Sequence, residues 1–114
     1  MAEVLTKPEL NNADRNALER AARLIENKGW TQGSVARDAV GNRLDDPKDP
    51  RAACYCTLGA LQAATETDGH YLKIYNAFLV ANQDILDEKL VWVWNDYTAK
   101  SADEVIAAIR KVAQ

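Results

Sequence analysis

The chain has no long apolar run. No stretch approaches the ~18 consecutive apolar residues that a membrane-spanning helix requires, and the opening Met1-Ala2-Glu3-Val4-Leu5-Thr6-Lys7 lacks the apolar core of a secretory leader. Cysteine is scarce, with only Cys54 and Cys56, one residue apart. A disulfide across one intervening residue is strained, and secreted frameworks carry more cysteines at wider spacings. Both thiols are therefore expected to be reduced, as in a cytosolic protein. There is one histidine, His70. Together with the two cysteines it makes three soft ligands where structural zinc takes four, so no metal is expected. The acidic run Asp45-Asp46-Pro47-Lys48-Asp49 lacks the glycine and terminal glutamate of a calcium loop and reads as a solvated loop. No cofactor is expected.

An excess of positive charge is also missing. Fourteen Lys and Arg stand against 17 Asp and Glu, for a net charge of −3. Nucleic-acid binders usually carry a basic face that displaces counterions from phosphates. Here Arg15, Arg20 and Arg23 are interleaved with Asp14, Glu19 and Glu26, and Glu19 and Arg23 form a favourable i,i+4 pair. That is the pattern of a solvated helix face, and it argues against a nucleic-acid partner.

What remains is an ordinary globular composition, 47% apolar and 27% charged in 114 residues. One core and one domain are expected over residues 12–114, behind an irregular lead-in at 1–11 where Thr6-Lys7-Pro8-Glu9 has the makings of one capped turn. A chain of this length buries about 60% or more of its extended surface, enough to fold without metals or disulfides.

The apolar periodicity predicts a mostly α (α+β) fold of about four helices, with a small β-hairpin between the first two. Leu18, Ala21, Ala22 and Ile25 recur at helical spacing over Ala13 to Asn27, and Lys28-Gly29 ends that helix. The glycine- and proline-rich stretch from Trp30 to Pro50 predicts a hairpin turning at Asp38-Ala39-Val40-Gly41, with Gly41 at positive φ. Asp49-Pro50 reads as the start of a second helix running to about Glu66. Gly59 inside it signals a close approach to a neighbouring element. After a break at Thr67-Asp68-Gly69, the residues Tyr71, Ile74, Tyr75, Phe78 and Leu79 mark a third helix. Asn82 to Lys89 is ambiguous, and Leu90-Val91-Trp92-Val93-Trp94 suits a short strand or a helix end equally well. Ser101-Ala102-Asp103-Glu104 is a capping box ahead of the stripe Val105, Ile106, Ile109 and Val112.

For nucleophilic chemistry the candidates are Cys56, His70 and Asn95, which occur in the chain order of papain-like cysteine proteases. Such enzymes place the thiol at a helix N-terminus, where the dipole and an imidazole lower its pKa. In the expected 49–66 helix, however, Cys56 falls about two turns in, beyond the dipole's reach. The weighted reading is a buried structural cysteine, with no catalytic residue assigned. Trp94-Asn95-Asp96 admits two readings. In the structural one, the ring anchors in the core while amide and carboxylate bond loop backbone, with Trp94 against the Gly59 helix and Asn95 or Asp96 on amides at the start of the hairpin. In the functional one, Asn95 and Asp96 face a cleft with Gln32 and Arg37 and orient a small polar ligand or peptide, Trp30, Trp92 and Trp94 forming its wall. The candidate ligand-binding set is Trp30, Gln32, Arg37, Asp38, Trp94, Asn95 and Asp96.

Several of these residues also carry a resemblance. Gly29-Trp30-Thr31-Gln32-Gly33 leads into Ala36-Arg37-Asp38, Cys56-Thr57-Leu58-Gly59-Ala60-Leu61 follows, then Trp94-Asn95-Asp96, and Ser101 to Ile106 opens the last helix. Over about residues 17–112 the series resembles a family of small bacterial and phage proteins whose common domain has no known function. The Cys-x-x-Gly-Ala-Leu and Trp-Asn-Asp pieces are its most specific parts, and Tyr55 stands where the family often has tryptophan. The resemblance implies a bacterial or phage cytosolic protein and brings no activity with it. The leading functional expectation is a small, non-enzymatic binding module for a protein partner or a small polar ligand. Its rivals are a cysteine-dependent hydrolase or transferase using Cys56, and a phage or mobile-element accessory protein that inhibits a host component.

Overall fold

The computed structural model of the chain describes residues 8–114. The lead-in reading at 1–11 therefore lies mostly outside the described residues; residues 8–11 carry no regular element. Helix α1 spans Asn12–Asn27. Asn11 caps it reciprocally: its side chain accepts from the Asp14 N–H, and the Asp14 carboxylate accepts from the Asn11 N–H, both at 2.9 Å. Gly29, at φ +140°, turns the chain out of the helix.

Three two-residue strands follow: β1 at Ala36–Arg37, β2 at Arg43–Leu44 and β3 at Cys54–Tyr55. They form one antiparallel sheet in the order β2-β1-β3. The β1–β2 hairpin turns where expected, with Gly41 at φ +91° and the Asp38 carboxylate accepting from the Val40 and Asn42 N–H groups. Its register sorts the side chains. Ala36, Leu44 and Tyr55 stand opposite one another and are buried, whereas Arg37, Arg43 and Cys54 share the other face.

The expected helix over 49–66 is shorter by more than half. Asp49 caps only one turn, accepting from the Arg51 N–H. The N–H groups of Ala53, Tyr55 and Cys56 then donate to the carbonyls of Arg37, Gly29 and Val35. Pairing across the sheet has taken the donors that a helix would need, so α2 covers only Thr57–Ala63. Its N-cap is Cys56, which corrects the placement of that residue two turns inside a helix. Gly59 does mark a close approach: a Cβ there would collide with the Val35 carbonyl oxygen and come within 2.8 Å of its carbon.

Helix α3 covers Asp68–Ala81, capped by Thr67, and α6 covers Ala102–Val112, capped by Ser101. Between them the chain coils into α4 at Gln83–Leu86 and α5 at Val91–Val93, which runs into a π-helical turn at Trp94–Thr98. Among the described residues there are thus six α-helices where about four were expected. Asp87 and Glu88, both at positive φ, close α4 after a single turn, too short to leave an apolar period in the sequence. Of the stretch 90–94, Leu90 is extended, Val91–Val93 are α-helical and Trp94 opens the π-helical turn.

The core lies between α1 and α6, the most extensive helix pair, with α2, α3 and the sheet closing around it. Leu18, Ile25, Leu61, Ile74, Phe78, Trp94, Val105, Ile109 and Val112 are fully buried there. Ala17, Ala21 and Ala22 keep the α1 surface low enough for close packing. Among the described residues no helix is long and apolar enough to cross a membrane.

A buried ion cluster joins α1 to α3. The Asp14 carboxylate, 2% exposed, meets His70 Nε2 at 2.8 Å and the Lys73 ammonium. Burial works against its charge, but the Lys73 ammonium, the Asn11 N–H and the His70 ring outweigh that and hold Asp14 below its ordinary value of 3.8. A depressed carboxyl pKa stabilises the fold above the unfolded value, and that contribution is lost as pH falls through the native value. The stability gap between the wild type and Asp14→Asn, read from urea denaturation, should therefore persist from neutral pH down to about pH 4 and narrow below it.

Candidate functional site

The glycine-turned loop after α1, the start of α2 and the π-helical turn converge at one end of the sheet. Asn95, fully buried, sits at the centre. Its Oδ1 accepts from Trp30 Nε1 at 2.8 Å, the Thr57 N–H at 3.0 Å and the Thr57 hydroxyl at 2.7 Å. Its Nδ2 donates to the Thr31 carbonyl and to Asp96 Oδ1, and its own carbonyl accepts from Gln32 Nε2 at 3.0 Å. Asp96 Oδ1 also accepts from the Gly33 N–H at 2.9 Å. Thr57 is the first residue of α2, so Asn95 satisfies a helix N–H that has no partner within its own helix.

Of the candidate ligand-binding residues, Trp30, Gln32, Asn95 and Asp96 do come together, but they bond to one another and to loop backbone. Trp94 leaves the expected aromatic wall for the core, tilted against Phe78 with ring centroids 6.2 Å apart. Arg37 touches this group only through the Gln32 carbonyl, at 3.0 Å. Asp38 serves the hairpin turn instead. The structural expectation for Trp94-Asn95-Asp96 describes their contacts: Trp94 in the core, and Asp96 on a backbone amide just before the hairpin.

The three nucleophile candidates are separated by their bonds. The Cys56 thiol accepts from the Gly59 N–H at 3.3 Å, in the manner of an N-cap. His70 is turned onto Asp14, and the Asn95 amide is fully engaged. Burial pushes the Cys56 thiol up, and the Asp96 charge adds to that, against the lowering by the Gly59 and Leu58 N–H groups. A thiol so placed is less nucleophilic at neutral pH than a free one. Cys54 lies on the sheet beside the Arg37 carbonyl, so Cys54, Cys56 and His70 form no common ligand set.

Beside this junction is a cleft of about 180 Å³ bounded by Gly33, Ser34, Val35, Cys56, Leu58, Trp92 and Asp96. Trp92 is 48% exposed on its rim, and Leu90 and Tyr97 are exposed on the same segment. The five-residue turn that carries Asn95, Asp96 and Tyr97 closes with the Ala99 N–H on the Trp94 carbonyl, at 2.8 Å. Such π-turns are rare and are often found at functional sites. Sequence reasoning placed Trp92 only as one of three wall residues and passed over Leu90 and Tyr97, because an aperiodic stretch does not reveal which side chains point outward.

The chain belongs to a family of unknown function: the family described as "Family of unknown function (DUF6197)" matches residues 10–114, nearly the whole chain. The resemblance read from the sequence is thus established at the level of the family. No curated protein and no solved structure matches the chain.

Treating the native protein with a thiol reagent at neutral pH tests the Cys56 assignment. Half-buried Cys54 should label first, and Cys56 only more slowly, as the fold opens. Rapid labelling of Cys56 with the fold intact would restore thiol chemistry at this position.

Proposed function

We propose that the chain is a small, cytosolic, non-enzymatic binding module that captures a protein partner at the Trp92 cleft. The observation that carries this reading is the half-exposed Trp92 at the small cleft, with Leu90 and Tyr97 exposed on the same segment. Tryptophan and tyrosine combine a large apolar area with little rotamer entropy and a polar tip, and they dominate the energetics of protein interfaces.

Size favours a protein over a small ligand. Drug-sized ligands occupy pockets of roughly 300–1,000 Å³, and the cleft holds about 180 Å³. That volume suits one apolar side chain offered by a partner, with Ser34 and Asp96 as polar markers at the rim. A wider hollow of about 450 Å³ lies along α4, bounded by Leu79, Gln83, Leu86, Asp87, Glu88 and Lys89. No aromatic ring lines it. The Gln32 and Asn95 amides, first considered for a small ligand, bond within the protein, which weakens that alternative at this cleft.

Selection of short peptides from a display library, followed by chemical-shift mapping of the selected peptide, tests the proposal. Selected peptides should share an apolar residue and shift Ser34, Leu58 and Trp92. Trp92→Ala should weaken their binding at least about tenfold, a loss of ~1.4 kcal/mol, while changing stability by no more than ~0.5 kcal/mol, as exposed substitutions do. Peptides that map elsewhere, or that bind Trp92→Ala equally well, would refute it.

A further inference from the structure

The outer face of the sheet carries a charge arrangement that the Trp92 cleft does not use. Arg37, on the central strand, stands directly opposite Arg43 on β2. Like charges opposed across a strand pair disfavour the pairing, and this sheet has only two residues per strand to offset that cost. Among the described residues, neither arginine belongs to an ion pair.

Arg37 is nevertheless held rigidly. Its Nε donates to the Thr31 hydroxyl at 2.9 Å, Nη1 to the Gly41 carbonyl at 3.1 Å and Nη2 to the Gln32 carbonyl at 3.0 Å. All three acceptors are neutral, so the guanidinium is fixed in place without a hydrogen-bonded counter-ion. Three of its five N–H donors are used and two remain. Arg43 is exposed and brings five more.

The two groups meet beside Gly33. A Cβ on this residue would stand 3.3 Å from Arg37 Nη2 and 4.0 Å from Arg43 Nη2. Gly33 is at φ +81°, a conformation that favours glycine, and a side chain there would press on the Arg37 fork. Neither Asp38 nor Asp96 hydrogen-bonds to either guanidinium. Asp38 is bound by Val40 and Asn42, and Asp96 Oδ1 by the Gly33 N–H and the Asn95 amide.

We propose that Arg37 and Arg43, beside the bare Gly33, form a binding site for a phosphate dianion, free or as a monoester. Two guanidinium groups supply two positive charges and planar N–H forks, and guanidinium forks bind phosphate oxygens in bidentate pairs. A dianion balances both charges, whereas a single carboxylate leaves one uncompensated. The prefixed Arg37 lowers the ordering cost of binding, and exposed Arg43 closes over the ligand. The site goes beyond the Trp92 reading and stands or falls separately from it.

The test is an NMR titration of the folded protein with sodium phosphate, methyl phosphate and sodium acetate at matched ionic strength and slightly alkaline pH. Phosphate and methyl phosphate should shift Gly33 and the Arg37 and Arg43 Nε–H resonances together and to saturation. Acetate should bind at least tenfold more weakly. Arg43→Gln, an exposed change, should weaken phosphate binding at least tenfold, and Arg23→Gln on α1 should leave it unchanged. Phosphate binding that survives Arg43→Gln, acetate binding equal to phosphate, or shifts that chloride reproduces would each overturn the proposal.

Discussion

The Asn95 side chain ties together three pieces of chain at one buried point. Its oxygen gathers the Trp30 indole and both donors of Thr57, and its nitrogen reaches Thr31 and Asp96. Trp30 and Thr31 belong to the loop after α1, Thr57 opens α2, and Asn95 itself lies in a π-turn 38 residues further along the chain. A buried amide with five partners is costly to disturb, because each partner stripped of its bond leaves a polar group out of reach of water. The sheet depends on the same clamp. Its strands have two residues each, far below what a free-standing ribbon needs, and β1 is entered from the loop that Asn95 and Asp96 pin.

The clamp also explains why an apparently polar cleft became two neighbouring surfaces of different character. Trp30, Gln32, Asn95 and Asp96 satisfy one another, and in doing so they set the π-turn on the sheet end with Trp92 and Tyr97 facing outward. On the other side of Gly33, the same loop supplies Thr31 and Gln32 to hold the Arg37 guanidinium. Residues that resemble a ligand set in sequence thus act as the frame. The surfaces with unspent binding capacity are those the frame positions: an aromatic rim on one side and a pair of arginines on the other.

How much of this was legible in the sequence depended on whether the determining interaction was local. The α1 stripe and the Ser101 cap show in sequence because their partners lie within four residues. So does the Asp38–Gly41 turn, whereas of the break expected at Thr67-Asp68-Gly69 only Thr67 lies outside α3. Gly59 announced a close approach without naming Val35 as the neighbour. The failures came where distant partners prevailed. Asp49-Pro50 is a sound local helix start, but carbonyls of Gly29, Val35 and Arg37 claim the N–H groups that follow, and the helix begins at Thr57. That shift moved Cys56 from a helix interior to an N-cap. Arg43 opposite Arg37 is a matter of strand register, and the exposure of Trp92 a matter of how the single turn of α5 is set; neither leaves a period in the sequence.

The central claim, that one buried amide organises the loop, the α2 start and the π-turn, is most directly tested by chemical denaturation of Asn95→Ala with amide hydrogen exchange at Thr57 and Gly33. Loss of the amide leaves the buried Thr57 N–H and the Trp30 indole without their acceptor, so stability should fall by about 3 kcal/mol or more. The Thr57 and Gly33 amides should lose protection while those of α6 keep more of theirs. A variant within ~0.5 kcal/mol of the wild type, with Thr57 and Gly33 still protected, would contradict the account.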